Sequence, residues 1–339
     1  MNKFSFYIIF MLCFCTSCKN NKTVKIIENK YINLDINRTN ITSLLCADKM
    51  KIIDSYLILI DRCEEPIFHV YELSNYSHIK SFGLQGNGPT DYIFPFFLNN
   101  NDNNLITYDV NLAQFKDINI KNLKNGKGDF IESREMPKEL IGCPDLINIG
   151  DEYYGNIDTS KGLYFHYSDK EKKIEWVNFP NSLLSYEEIE PMPLNMSRIA
   201  INPKKNIIAC AMYYYNKIFL YTTKGDLIKE IIIGDKEITP QISKSTRIIK
   251  GDSKICFSDI YATDKYIYLI TQEIKYQDFE ERFKYPSRII ILDWNLNYIS
   301  TLTSNKHIYS ITIDNKHKRL IYIAINQEGD PEILYHQIK

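Results

Sequence analysis

Three glycines and a proline fall within seven residues of the stretch SFGLQGNGPTDYIF (Ser81–Phe94), as Gly83, Gly86, Gly88 and Pro89. A glycine-rich loop binds phosphate when its backbone N–H groups converge on an anion at the start of a helix. That chemistry needs Lys-Ser/Thr after the last glycine, or the order Gly-x-Gly-x-x-Gly. Here Pro89-Thr90 follows Gly88, the glycine order is reversed, and the next segment, YIFPFFL, has no helical pattern. The stretch therefore reads as a turn. Glycine supplies positive φ and Pro89 fixes the exit.

Carboxylates are the next candidates. Asp61, Asp109 and Asp158 each close an apolar run. Paired carboxylates serve glycosidases and hold Ca²⁺. Recurrence at one place in a repeat favours a structural turn instead, with the carboxylate capping backbone N–H groups. The run DRCEEP (61–66) adds Glu64 and Glu65 but lacks Asp-x-Asp-x-Asp spacing. The six histidines, at 69, 78, 166, 307, 317 and 336, include no His-x-x-x-His pair. No Gly-x-Ser-x-Gly elbow occurs, which excludes an α/β-hydrolase. Cys46, Cys63, Cys143, Cys210 and Cys256 contain no Cys-x-x-Cys pair, which argues against structural zinc. Cys210 and Cys256 sit among apolar residues and read as buried thiols. Cys46 and Cys63 are either free or, in an oxidising compartment, bridged. No metal and no cofactor is expected.

The elements that must position these groups are strands. Of the 339 residues 44% are apolar, and 25 are Tyr, a composition that favours sheet over helix. The best helical pattern is QDFEERFKY (277–285), with Phe279 and Phe283 four apart. Elsewhere a repeat dominates. Strands at SYLILID (55–61), NLITYD (104–109), EYYGNID (152–158), NIIACAM (206–212), KYIYLIT (265–271) and RLIYIAI (319–325) open six units at steps of 49, 48, 54, 59 and 54 residues. A second strand, and in several units a third, follows each. A four-stranded antiparallel sheet buries both faces only when sheets stack radially. The expected fold is all-β: a six-bladed β-propeller of four-stranded antiparallel blades. The last unit, IYSITID, RLIYIAI and EILYHQIK, lacks a fourth strand. The N-terminal piece TVKIIENKYINLDI (23–36) is expected to supply it and close the ring.

Lys+Arg 41 against Asp+Glu 42 leaves no basic excess, so nucleic acid is not an expected partner. The N-terminus carries a compartment signal. One Lys precedes an apolar run from Phe4 to Cys15, too short to span a bilayer and shaped like a signal peptide. Thr16, Ser17 and Cys18 resemble a bacterial lipobox, with Cys15 where Leu is usual. The expected organisation is a signal peptide over 1–17, a lipid-anchored tether over 18–22 beginning at Cys18, and the propeller over 23–339.

SFGLQGNGPTDY also resembles the Phe-Gly-x-x-Gly-x-Gly-Pro-x-Glu-Phe segment of the TolB-like six-bladed propeller lipoproteins of Bacteroidetes, with Asp91-Tyr92 in place of Glu-Phe. The stretches 257–271, 288–302 and 307–325 resemble that family's C-terminal half. The resemblance implies a propeller in the cell envelope. After Cys18 comes Lys19-Asn20-Asn21-Lys22, where the surface-export signal of Bacteroidetes lipoproteins is acidic, so the expected location is the outer membrane, facing the periplasm. It brings no catalytic residues.

Propeller sites lie at one mouth of the central channel, and long loops there are the usual carriers. The long connections are 181–198, 234–254 and 271–288. Arg198 and Arg247 stand at the starts of blades, and Tyr92, Arg282 and Tyr285 complete a set suited to an anionic or sugar-like ligand. Inter-blade ion pairs are the competing role for the arginines. The expected function is a membrane-anchored module that binds a protein or small molecule. The alternative is a carbohydrate-active or other hydrolase or lyase propeller.

Overall fold

The strands that read as unbroken apolar runs are the second strands of six blades. In the computed structural model, which describes residues 23–42, 44–100, 104–120, 131–157, 161–184, 194–243, 249–326 and 328–338, they span Tyr56–Asp61, Leu105–Asp109, Glu152–Gly155, Ile207–Met212, Tyr266–Thr271 and Arg319–Ile325. Each has an inner and a third strand beside it in its own sheet. Neighbouring blades cover both of its faces, so alternate residues enter two different cores. In blade 1, Leu57 and Leu59 pack against Ile321 and Ile323 of blade 6. Ile58 and Ile60 point the other way, toward Leu105 and Ile118 of blade 2. The same division recurs around the ring, which gives one apolar cluster at each of the six blade interfaces.

The repeat is therefore displaced by one strand from its expected frame: the strands taken to open each unit are second strands. The innermost strands are Ala47–Ile53, Pro95–Phe97, Ile147–Ile149, Ser197–Asn202, Asp259–Ala262 and His307–Asp314. Only the last was visible as a strand in the sequence. The others are short, or carry charges where they face the channel, as Lys49, Lys51 and Asp259 do. A strand with one polar face and few residues gives no apolar run to detect.

Ring closure also differs in detail. The fourth strand of blade 6 is Asn37–Arg38, antiparallel to the third strand Pro331–Gln337 through Leu334 and Tyr335. It lies just beyond the expected 23–36. That earlier stretch does something else. Val24–Ile26 runs parallel to the outer strand of blade 4 (Leu227–Ile233), and Tyr31–Asn33 runs parallel to the outer strand of blade 5 (Tyr298–Thr303). The N-terminal segment is a strap around half the circumference. It covers the edges of three consecutive blades, which would otherwise offer unpaired N–H and C=O groups.

Chain direction sets the two faces of the ring. Each blade is an antiparallel meander from the inner strand outward. The blade-to-blade links and the loops between second and third strands therefore share one face, here the link face. The tight hairpins share the other. The helical pattern at 277–285 is a 3₁₀ helix, Tyr276–Lys284, in the second-to-third loop of blade 5. It sits beside a small two-stranded sheet, Lys254–Ile255 with Ile274–Lys275, so the link from blade 4 and the blade 5 loop support each other.

Candidate functional site at the channel mouth

The glycine stretch links the outer strand of blade 1 (His78–Phe82) to the inner strand of blade 2. At Gly83 φ is +83°, and a Cβ there would lie 2.8 Å from Cδ2 of Phe68, so only glycine fits. The loop does hold an anion, and it is the chain's own. Gly88 N–H donates to Oδ2 of Asp91 at 2.8 Å, and a Cβ on Gly86 or Gly88 would strike that oxygen. The cradle is thus filled by a side chain that fixes the turn.

Asp61 and Asp109 also spend their carboxylates on backbone. Both are fully buried. Asp61 accepts N–H groups of Leu45, Cys46 and Cys63 at 2.6, 3.0 and 3.1 Å. Asp109 accepts those of Ile93 and Phe94 at 2.7 Å and of Asn111 and Leu112 at 2.9 and 3.0 Å. Each carboxylate joins the link entering its blade to the second-to-third loop of that blade. Cys46 and Cys63 are bridged by a disulfide across the same junction in blade 1, with Cα atoms 5.4 Å apart. Cys143, Cys210 and Cys256 are buried free thiols. Asp158, Arg247 and Cys18 lie outside the described residues.

The inner strands enclose a cavity of about 300 Å³ on the ring axis. Its apolar wall includes Ile52, Phe97, Ile147, Ile199, Ile260 and Ile311. Its charges gather toward the link face, because they sit at or just before the starts of inner strands. Arg198 of blade 4 donates through Nη1 to Oδ2 of Asp145, in the link into blade 3, at 2.6 Å. Lys49 of blade 1 lies 3.2 Å from Oδ2 of Asp259 of blade 5 and 4.0 Å from Oδ1 of Asp145. Four elements of the ring are thus tied across the channel. Arg198 has both roles foreseen for it, lining the channel and pairing between blades.

Burial alone would raise the Asp145 carboxyl. Lys49 and Arg198 outweigh it and hold the group below the usual carboxylate range. Burial likewise opposes the charge on Lys49, and Asp259 and Asp145 overcome it, so its pKa rises. Deeper in the channel, burial lowers Lys51 to about 8, and its Nζ donates to the Leu98 carbonyl at 2.5 Å.

The other anticipated residues separate. Arg282 and Tyr285 belong to the blade 5 loop. Arg282 donates to the Phe279 carbonyl at 3.0 Å and stacks 4.3 Å over the Phe279 ring. Tyr285 leans on the apolar cluster between blades 3 and 4. Burial raises the Tyr213 phenol while Arg198 and Arg282 pull it down, so both arginines act on one tyrosine at the mouth. Tyr92 does not reach the channel. It is fully buried between blades 1 and 2, with its hydroxyl 3.1 Å from Oγ1 of Thr107 and Lys116 Nζ 4.3 Å from its ring. Its position beside the glycine turn packs it inward under Gly83.

Sequence reasoning missed Lys49, Asp145 and Asp259, which make the mouth with Arg198, and Lys51 deeper in the channel. The signal was the alternation in KMKII, which puts Lys49 and Lys51 on one face of a strand. It also missed His307, which opens the inner strand of blade 6. His307 is buried, and its Nδ1 accepts from Gln272, which in turn bonds the Arg282 and Tyr285 carbonyls at 3.2 and 2.9 Å. Burial and then Arg282 push it down to about 4, so it is a neutral clip holding the blade 5 loop.

Comparison with known proteins agrees with this architecture. A crystal structure of a member of the DUF4221 family from Bacteroides vulgatus is 10% identical, covers 92% of this chain and 96% of its own, and superposes with a TM-score of 0.56. A candidate exported protein from Bacteroides fragilis is 12% identical, covers 94% and 99%, and reaches 0.59. At such identity the likeness is one of fold alone. No curated protein matches the sequence. No helix among the described residues is long and apolar enough to cross a membrane. The family model described as TolB-like 6-blade propeller-like matches residues 40–316, and the chain belongs to that family.

Proposed function

We propose that this chain is an exported, lipid-anchored binding module of the cell envelope, and that it takes its ligand at the channel mouth on the link face. The observation that carries the reading is the composition of that face. The cavity opens there between Arg198, Lys49, Asp145 and Asp259. Around it the links and loops expose Leu45, Leu84, Phe94, Ile141 and Tyr276, and the inner strand of blade 6 exposes Tyr309, each more than a third exposed. A charged centre inside a ring of apolar and aromatic residues fits a protein segment better than a small polar metabolite. The signal sequence and Cys18 support export and acylation, and the oxidising compartment they imply suits the Cys46–Cys63 bridge.

A hydrolase or lyase reading has less support. Lys49 brings Asp145 and Asp259 near one another, as a two-carboxylate site would require. A general acid needs a raised pKa, however, and Asp145 is held below its ordinary range.

Capture from envelope extracts by the unanchored Cys18→Ala protein tests the reading. A partner retained by the wild-type mouth is expected to be lost with Leu84→Asp combined with Tyr309→Asp. Equal retention by both would overturn the assignment to this face. Acyl labelling of wild type against Cys18→Ala tests the anchor, and equal label in both would sink it.

A further inference from the structure

A second apolar surface lies away from the mouth, on the rim of blades 4 and 5. Leu227 and Ile228 open the outer strand of blade 4 at its hairpin-face end, and they are 39% and 44% exposed. Val24, 45% exposed, lies beside Ile231 of the same strand. Tyr31 and Ile32, 56% and 38% exposed, lie beside Thr301 and Leu302 of the blade 5 outer strand, which also exposes Ile299. The two rims are joined where Lys229 Nζ donates to the Asn295 carbonyl at 2.6 Å. Large apolar side chains exposed together on two neighbouring rims mark a contact with something else.

The chain says what that is. The strap puts its first described residue, Thr23, at the blade 4 rim, and Cys18 lies five residues earlier. Five residues span at most about 18 Å when fully extended. An acylated Cys18 has its chains in the bilayer, so the blade 4 rim is held within that distance of the lipid surface. The side of the ring nearest the anchor is then the side that carries the isoleucines and Tyr31, residue types that settle at the headgroup–acyl boundary.

We infer that the blade 4–5 rim is a lipid-contact surface, and that the propeller lies edge-on against the membrane. This rests on the anchored reading above. Its channel axis runs along the membrane plane, and the charged mouth opens sideways into the aqueous space. The strap has two jobs in this arrangement: it pairs the outer strands, and it supplies half of the lipid-facing side chains.

The test uses the acylated full-length protein in phosphatidylethanolamine–phosphatidylglycerol vesicles containing bromine-tailed lipid. The described native cysteines are bridged or buried, so an introduced thiol takes a bimane label. Ile228→Cys and Ile32→Cys report on the rim, and Ser74→Cys reports from blade 1, across the ring. Vesicle flotation is scored alongside fluorescence. The expected result is flotation of all three, with quenching at 228 and 32 and none at 74. Flotation with no quenching at either rim position would overturn the lipid contact and leave the anchor standing. Failure to float would overturn both. A bimane shift at 228 in the Cys18→Ala protein that depends on protein concentration, without vesicles, would assign the rim to a second copy of the chain and overturn the inference.

Discussion

Asp109 receives four backbone N–H groups from two separate loops. Replacing it with Ala would strip four part-buried donors of their acceptor, each worth about 1–3 kcal/mol where water cannot reach it. Asp109→Ala is expected to lose roughly 3 kcal/mol or more of stability, read as a lowered urea midpoint, and a loss under about 1 kcal/mol would show that water replaces the carboxylate. Asp145 makes a pH prediction. Its folded pKa lies below its unfolded value, so its contribution is complete above the ordinary carboxylate range. That contribution disappears as pH falls through the depressed value. Arg198→Ala removes one of the two cations that depress it. The acid unfolding midpoint, followed by circular dichroism, is expected to move to higher pH, and an unmoved midpoint would mean Lys49 alone holds the carboxylate. Turn residues such as Asp61 and Asp109 were legible because a repeat displays them at one position. The ion pairs of the mouth were not, because Asp145 and Arg198 are 53 residues apart in neighbouring blades and Lys49 and Asp259 are 210 apart, and only the radial stacking of blades brings them together.

Elements divide in the same way. Second strands were legible since burial on both faces makes them continuously apolar. Inner strands were not, since one face is a channel wall. The strap was read as strand but assigned to one blade. Its register across three blades depends on pairing, parallel on blades 4 and 5 and antiparallel on blade 6, with strands about two hundred or more residues away, which local pattern cannot encode. Gly83 was legible as a turn glycine. Its close approach to Phe68 adds strain on top of its positive φ, and Gly83→Ala is expected to cost on the order of 1–3 kcal/mol in a thermal or chemical melt. The Cys46–Cys63 bridge closes a short loop at the start of blade 1, with a sequence separation of 17. Loop-closure entropy for that length gives about 3 kcal/mol, so mild reduction should lower the melting temperature, and an unchanged melt would show that Asp61 holds the junction unaided.

At the scale of the molecule, six apolar interfaces and a strap make a closed ring whose two faces differ. Among the described residues the hairpin face is built of tight turns. The link face carries the disulfide, the long loops, the charged mouth and a ring of exposed apolar side chains. The fold class was legible from the fifty-residue repeat because a radial stack is the way such units bury both faces. Which face carries the charged mouth was not, since the residues that distinguish the faces lie in links and inner strands without a pattern of their own. The most direct test places a photo-crosslinking amino acid at Leu84 or Tyr309 on the link face and at Lys265 or Asn315 on the hairpin face, in cells expressing the full chain. Discrete adducts are expected from the two link-face positions alone. Equal adducts from the hairpin face, or none from the mouth, would contradict the account.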